Sequence, residues 1–180
     1  FNFHPDTLAL FQSYFTNRQQ SLHTPHAKST YKTITHGIPQ GSILSTTLFL
    51  LYINDISLTA THSAIFTYAD DTTLIISAPD IATLQRYAQH DLDSLIHYLY
   101  TNNLIPNPTK TTYTTFYPCS FPDINLTIGA TTLEHKSHTK LLGFILQNNL
   151  KFDHHISHII RKLQPFIHTL KHLHKILSRT

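Results

Sequence analysis

Residues 65–76 read IFTYADDTTLII, with two adjacent aspartates, Asp70 and Asp71, set between apolar and β-branched runs. Both flanks look like buried strands, so residues 64–78 are predicted to form an antiparallel hairpin with the carboxylates at its tip. Two like charges in one turn repel, and the repulsion is tolerated where the turn is well solvated or where a cation neutralises it. Aspartate is common in solvated turns. A hairpin tip also gathers successive side chains into one small volume, and Mg2+ prefers hard oxygens presented in that way. The choice between the two readings rests on the rest of the chain.

Downstream of the hairpin, Asp80 is placed to cap a helix whose apolar stripe runs through Ile81, Leu84, Ala88, Leu92, Leu95 and Leu99. Asn102 and Asn103, followed by Pro106 and Pro108, end it. Strand-like TTYTTFY, INLTIG, ATTLEH and KLLGFIL follow, the second and third joined at Gly129. Beyond Asp153 a last amphipathic helix carries Ile156, Ile159, Ile160, Leu163, Ile167, Leu170 and Leu173, and Pro165 is expected to kink or interrupt it.

Upstream, GIPQG at 37–41 cannot be regular structure, because its proline lacks a donor and its glycines favour unusual dihedrals. Ser42 or Ser45 can then cap a helix with Leu44, Leu48, Leu51 and Tyr52 on one face; Phe49, Leu50 and Tyr52 read as core. TPHAKS is a turn between two short strands. Near the start, Leu8, Phe11, Tyr14 and Phe15 repeat at helical spacing behind Asp6, the expected N-cap. Helices alternating with antiparallel strands define an α+β domain.

Composition sets the outer bounds. The chain has 180 residues, 41% of them hydrophobic, enough for a buried core. Its net charge of +3 with neutral histidines permits an acidic polymer as partner without requiring one. No run is apolar enough to span a bilayer, and Cys119 stands alone, which fits a reducing compartment. There is no methionine, so the chain is expected to be a piece of a longer polypeptide. The 15 histidines include helical i,i+4 pairs at His154/His158 and His168/His172. No cysteine or HExxH glutamate accompanies them, so they read as a solvated face and not as a zinc site.

TYADDTTL resembles the catalytic hairpin of reverse transcriptases, and HGIPQGSILSTTLFLLYINDI resembles the segment before it in the same enzymes. YLYTNNLIPNPTKTTYTTF, KLLGFILQNNLKFDHHI and SYFTNRQQSL are similar to further blocks of that family, in its order. The likeness is greatest to the RNA-directed DNA polymerases of non-LTR (LINE-type) retrotransposons, and it covers nearly the whole chain. Two positions depart from the family's pattern: Thr46 follows Ser45 in place of proline, and no tryptophan stands near Tyr98.

The resemblance implies a polymerase palm, an antiparallel sheet with packed helices on a ferredoxin-like core, at 1–150, and the start of a helical thumb at 151–180. It implies deoxynucleotide addition to a primer 3′ end by two-metal phosphoryl transfer, with two Mg2+ ions (or Mn2+) in the complete enzyme. Asp70 becomes the principal metal ligand and Asp71 its neighbour, with Tyr68 and Ala69 abutting the primer end. Gln40 and Gly41 border the incoming nucleotide and template base. Lys110 lies near the departing pyrophosphate, and Gly143 turns the chain against the primer backbone. The implied partners are an RNA template, a DNA primer and deoxynucleoside triphosphates. The family's first catalytic aspartate is expected upstream of SYFTNRQQ, so these 180 residues alone are expected not to polymerise. An inactive nucleic-acid-binding remnant is the alternative; a histidine-rich metal-binding or structural domain is the third.

Overall fold

The computed structural model describes residues 2–39, 41–116 and 124–177. It is a mixed helix-and-strand chain, as the α+β reading anticipated. Gln40 and Cys119 lie outside the described residues. The chain divides into two compact units, one formed by 1–57 and 66–73, the other by 58–65 and 74–180.

In the first unit, α1 spans Pro5–Phe15. Its N-cap is His4 and not Asp6: the His4 ring accepts from the Asp6 N–H at 3.3 Å. Pro5 opens the first turn, where a missing donor costs nothing, and Asp6 stands inside that turn. Two nested antiparallel ladders follow, β1 (Gln19–Gln20) with β4 (Lys32–Thr33) outside and β2 (His23–Thr24) with β3 (Ala27–Lys28) inside. Pro25 and His26 make the inner turn, within the predicted TPHAKS.

α2 (Ile43–Tyr52) has Ser42 at its N-cap position, without a capping bond from the serine side chain. Ser42 Oγ instead accepts from the Tyr14 hydroxyl at 2.5 Å, tying α1 to the start of α2. Ser45 Oγ donates back to the Pro39 carbonyl and closes the glycine loop. Phe49, Leu50 and Tyr52 are not the core: Leu50 and Tyr52 are exposed and Phe49 is half-buried, whereas Ser45, Ile53 and Ile56 are buried. Apolar residues surround this helix on nearly every side, so their spacing selects no face. A short 3-10 helix, Ile56–Thr59, follows.

β5 (Ser63–Tyr68) and β6 (Asp71–Ile76) pair as a hairpin joined by Ala69 and Asp70. A two-residue connection requires antiparallel strands. The root of the hairpin belongs to the second unit and its tip to the first.

The second unit is organised by α3 (Ile81–Thr101). Asp80 caps it, accepting from the Thr83 N–H and hydroxyl at 2.8 Å each. Its end closes through Leu104 N–H to Leu99 carbonyl (2.8 Å) and Asn103 N–H to Tyr100 carbonyl (3.0 Å), with Asn103 at φ 53°. That is the left-handed cap expected of asparagine. Ala88 and Leu92 of α3 pack with Ile124, Leu126, Ile128 and Leu133 in one buried cluster, flanked by Ile76, Ile81, Ile96 and Tyr113. Ile76 thus brings the root of the hairpin against α3.

β7 (Thr112–Tyr113) pairs in parallel with β10 (Glu134–His135), and β8 (Thr127–Ile128) pairs antiparallel with β9 (Thr131–Thr132) across the Gly129 turn. β11 (His138–Leu141) and β12 (Phe144–Gln147) form a last antiparallel hairpin. Among the described residues every sheet has two strands. α4 runs over Asp153–Leu177 with Pro165 inside it, so the helix is not interrupted there. The lost backbone donor at Pro165 removes one hydrogen bond from a long helix, too little to end it. Buried Gln147 accepts from the His154 N–H at 2.9 Å, anchoring the first turn of α4 to β12. The apolar stripe of α4 is exposed along its length.

Candidate active site

β5 and β6 meet in a two-residue connection, and the connection decides what the tip presents. Ala69 sits at φ 52°, a left-handed conformation costing an L-residue roughly 1–2 kcal/mol. Tyr68 is 66% exposed beside it, and the Asp70 and Asp71 side chains are both exposed. Among the described residues neither carboxylate takes part in a side-chain hydrogen bond or ion pair, so the hairpin offers two adjacent, uncommitted sets of hard oxygens. Such a donor set fits a magnesium ion, which binds through one or two carboxylates and keeps sites for water and phosphate.

The glycine loop belongs to the same unit. Gly41 has φ 80°, and a Cβ built on it meets nothing within 4 Å, so open space adjoins the backbone there. Gln40, its expected companion, lies outside the described residues.

Lys110 and Gly143 belong to the second unit. Lys110 is exposed at the end of a turn built by Asn107, whose Oδ1 accepts from the Thr109 N–H (3.1 Å) and hydroxyl (2.7 Å). The Lys110 N–H reaches the Asn107 carbonyl at 3.2 Å, just before β7. Gly143 lies at the tip of the β11–β12 hairpin, where Leu142 (φ 47°) and Gly143 (φ 91°) both have positive φ. Two positive values in a two-residue loop mark a type I′ turn, which suits glycine at its second position.

One charged group escaped the sequence reading. Asp91 lies on the buried face of α3 with no exposed area. It accepts from the N–H groups of Thr61 (3.2 Å), His62 (2.8 Å) and Ser63 (2.7 Å) and from the Ser63 hydroxyl (2.7 Å). His90 Nδ1 adds a contact of 3.0 Å. Burial raises the pKa of this carboxyl, but the hydrogen bonds from Ser63, His90, His62 and Thr61 outweigh it and hold the group well below the usual carboxylate range. The signal was present in the sequence: Asp91 interrupts the helical stripe between Ala88 and Leu92.

Comparison with known proteins agrees with the motifs. The chain is 29% identical over 160 residues to the "RNA-directed DNA polymerase from mobile element jockey" of Drosophila funebris, covering 85% of this chain. It is 27% identical over 167 residues to the protein of the same name from Drosophila melanogaster, covering 87% of this chain. In each case it spans 18% of the relative's length. No solved structure matches the chain. The family "Reverse transcriptase (RNA-dependent DNA polymerase)" matches residues 1–146, more than three-quarters of the sequence, and the chain therefore belongs to the reverse transcriptase family.

Proposed function

We propose that this chain supplies part of the palm of an RNA-directed DNA polymerase, with Asp70 and Asp71 as metal-holding carboxylates and residues 151–180 opening a helical thumb. The observation that carries the reading is the tip of the β5–β6 hairpin. It projects Tyr68, Asp70 and Asp71 into solvent with both carboxylates uncommitted, within the stretch that matches the family.

Bound there, magnesium would neutralise charge on the phosphates and on the attacking and leaving oxygens of an in-line transfer. The residues of the chain do the remaining work. Asp70 is the principal ligand; Asp71, one residue on, adds a second carboxylate and raises the local negative charge. Ala69 keeps the backbone bare where a primer strand approaches, and the exposed Tyr68 ring abuts the primer end. Gly41 keeps space open for the nucleotide and template base, with Gln40 beside it. Lys110 contributes an ammonium toward the leaving pyrophosphate, and the Gly143 turn holds the primer backbone. RNA template, DNA primer and deoxynucleoside triphosphates are the partners this assigns.

The test is primer extension on an RNA template by the polypeptide that carries these residues, alongside binding of the template–primer duplex. Asp70→Ala is expected to reduce extension by at least about a hundredfold while duplex binding persists, since misplacing a reacting group even slightly costs that much. Undiminished extension by Asp70→Ala would overturn the assignment. Duplex binding with no extension by the unmutated longer polypeptide in Mg2+ or Mn2+ would point instead to an inactive nucleic-acid-binding remnant.

A further inference from the structure

His62, His90 and Asp91 are the one cluster of three or more metal-ligating side chains among the described residues, with a donor atom of each within 4.8 Å of the others. All three donors are held in place. The His62 ring stacks on Tyr87, centroids 3.8 Å apart and planes 7° from parallel. Asp91 cannot swing, because its Oδ2 accepts three hydrogen bonds of 2.7–2.8 Å from His62 and Ser63. Its Oδ1 accepts one longer bond from the Thr61 N–H at 3.2 Å and faces His90 Nδ1 at 3.0 Å. A carboxylate oxygen has two lone pairs, so the second is directed at that imidazole nitrogen. Both histidines reach solvent, which gives an ion a way in, while the carboxylate is fully buried beneath them.

We propose that His62, His90 and Asp91 form a binding site for a transition-metal ion of the zinc type, separate in residues and in chemistry from the all-oxygen pair at Asp70 and Asp71. Two imidazole nitrogens and one carboxylate suit zinc, cobalt or nickel, whereas magnesium favours oxygen ligands alone. The ion takes the position of the proton between His90 Nδ1 and Asp91 Oδ1. That proton moves to Nε2 of the same ring, or to solvent if the ring was charged, and the Nδ1 lone pair becomes a ligand. The backbone donors of residues 61–63 stay on Asp91 and orient it, as outer-shell partners do in metal sites. Occupancy would clamp the segment entering β5 to α3 and stabilise the native chain by mass action.

The experiment is a Co2+ titration of the 180-residue chain read by visible absorption, with Zn2+ in competition, and thermal melts with and without Zn2+. One Zn2+ per chain is expected at micromolar concentration, not displaced by millimolar Mg2+. His90→Ala and His62→Phe should each weaken it at least tenfold. His62→Phe keeps a ring to stack on Tyr87 and the backbone N–H that bonds Asp91 but removes both imidazole nitrogens, so it separates loss of metal from loss of fold. His154→Ala with His158→Ala, on α4, should leave binding unchanged, as should Asp70→Asn. Unaltered Zn2+ affinity in folded His62→Phe, or no Zn2+ bound by the parent chain at ten micromolar, would overturn the proposal.

Discussion

Ser63 and Asp91 stand 28 residues apart in sequence and meet through two hydrogen bonds of 2.7 Å, from the Ser63 N–H and Oγ to the same carboxylate oxygen. One residue begins strand β5 and the other lies on the buried face of α3. The pair fixes the root of the hairpin to the helix. Removing the carboxylate strands several donors at once, and breaking a buried charged network costs on the order of 3 kcal/mol. Asp91→Ala is therefore expected to be among the most destabilising substitutions in the chain. Urea melts check it; a loss below about 0.5 kcal/mol would show that water replaces Asp91 at no cost.

Acid should expose the same network. The Asp91 carboxyl is held well below the value near 3.9 that it takes in an unfolded chain. A depressed folded pKa contributes stability that is present above the unfolded value and lost as pH falls through the folded one. The contribution should be complete at pH 5 and fade on acidification below about 4. Melts of the parent chain and of Asp91→Asn from pH 5 to 2.5 should converge as the pH falls. Parallel curves would mean that some other group carries the acid sensitivity.

The β11–β12 turn offers a purely backbone test. Leu142 and Gly143 both lie at positive φ, and nothing stands within 4 Å of a Cβ added at 143. Gly143→Val should cost roughly 1–2 kcal/mol from conformation alone. Leu142→Asn should gain a few tenths of a kcal/mol, since asparagine tolerates the left-handed region better. Opposite signs at adjacent positions identify the turn type; equal losses would not fit it.

The regular elements around the motifs were legible because short signals decided them. Asp80 and Asn103 mark both ends of α3, and the β-branched runs around Asp70 and Asp71 give the hairpin to within a few residues. Helix faces were less legible. In α2 apolar side chains surround the axis, so Phe49, Leu50 and Tyr52 carry no directional information, and burial falls on Ser45 and Ile53. The N-cap of α1 was missed because a histidine took a role usually filled by aspartate. A carboxylate inside the α3 stripe marks Asp91 locally, but the partners that satisfy it lie about 30 residues away, and no local pattern encodes them. At the candidate active site, the hairpin tip could be read locally, whereas roles for Gln40, Lys110 and Gly143 rest on family resemblance.

The pairing of Asp70 with Asp71 yields the last prediction. Both carboxylates are exposed and neither has a side-chain partner among the described residues, so the metal-free hairpin carries their mutual repulsion, reduced but not abolished by solvent. Asp70→Asn keeps the shape and removes one charge, and should stabilise the metal-free chain by up to about 1 kcal/mol. Millimolar Mg2+ should then raise the melting temperature of the parent chain more than that of Asp70→Asn, because a ligand that binds only the native state stabilises in proportion to its affinity for it. Zn2+ acting through His62 and His90 should raise both equally, which keeps the two metal assignments separable in one set of melts. If Asp70→Asn is less stable than the parent without metal, and Mg2+ shifts both alike, the two aspartates are ordinary turn residues: their oxygens would then serve the local backbone and solvent, and the metal-holding role would have to lie elsewhere in the polypeptide.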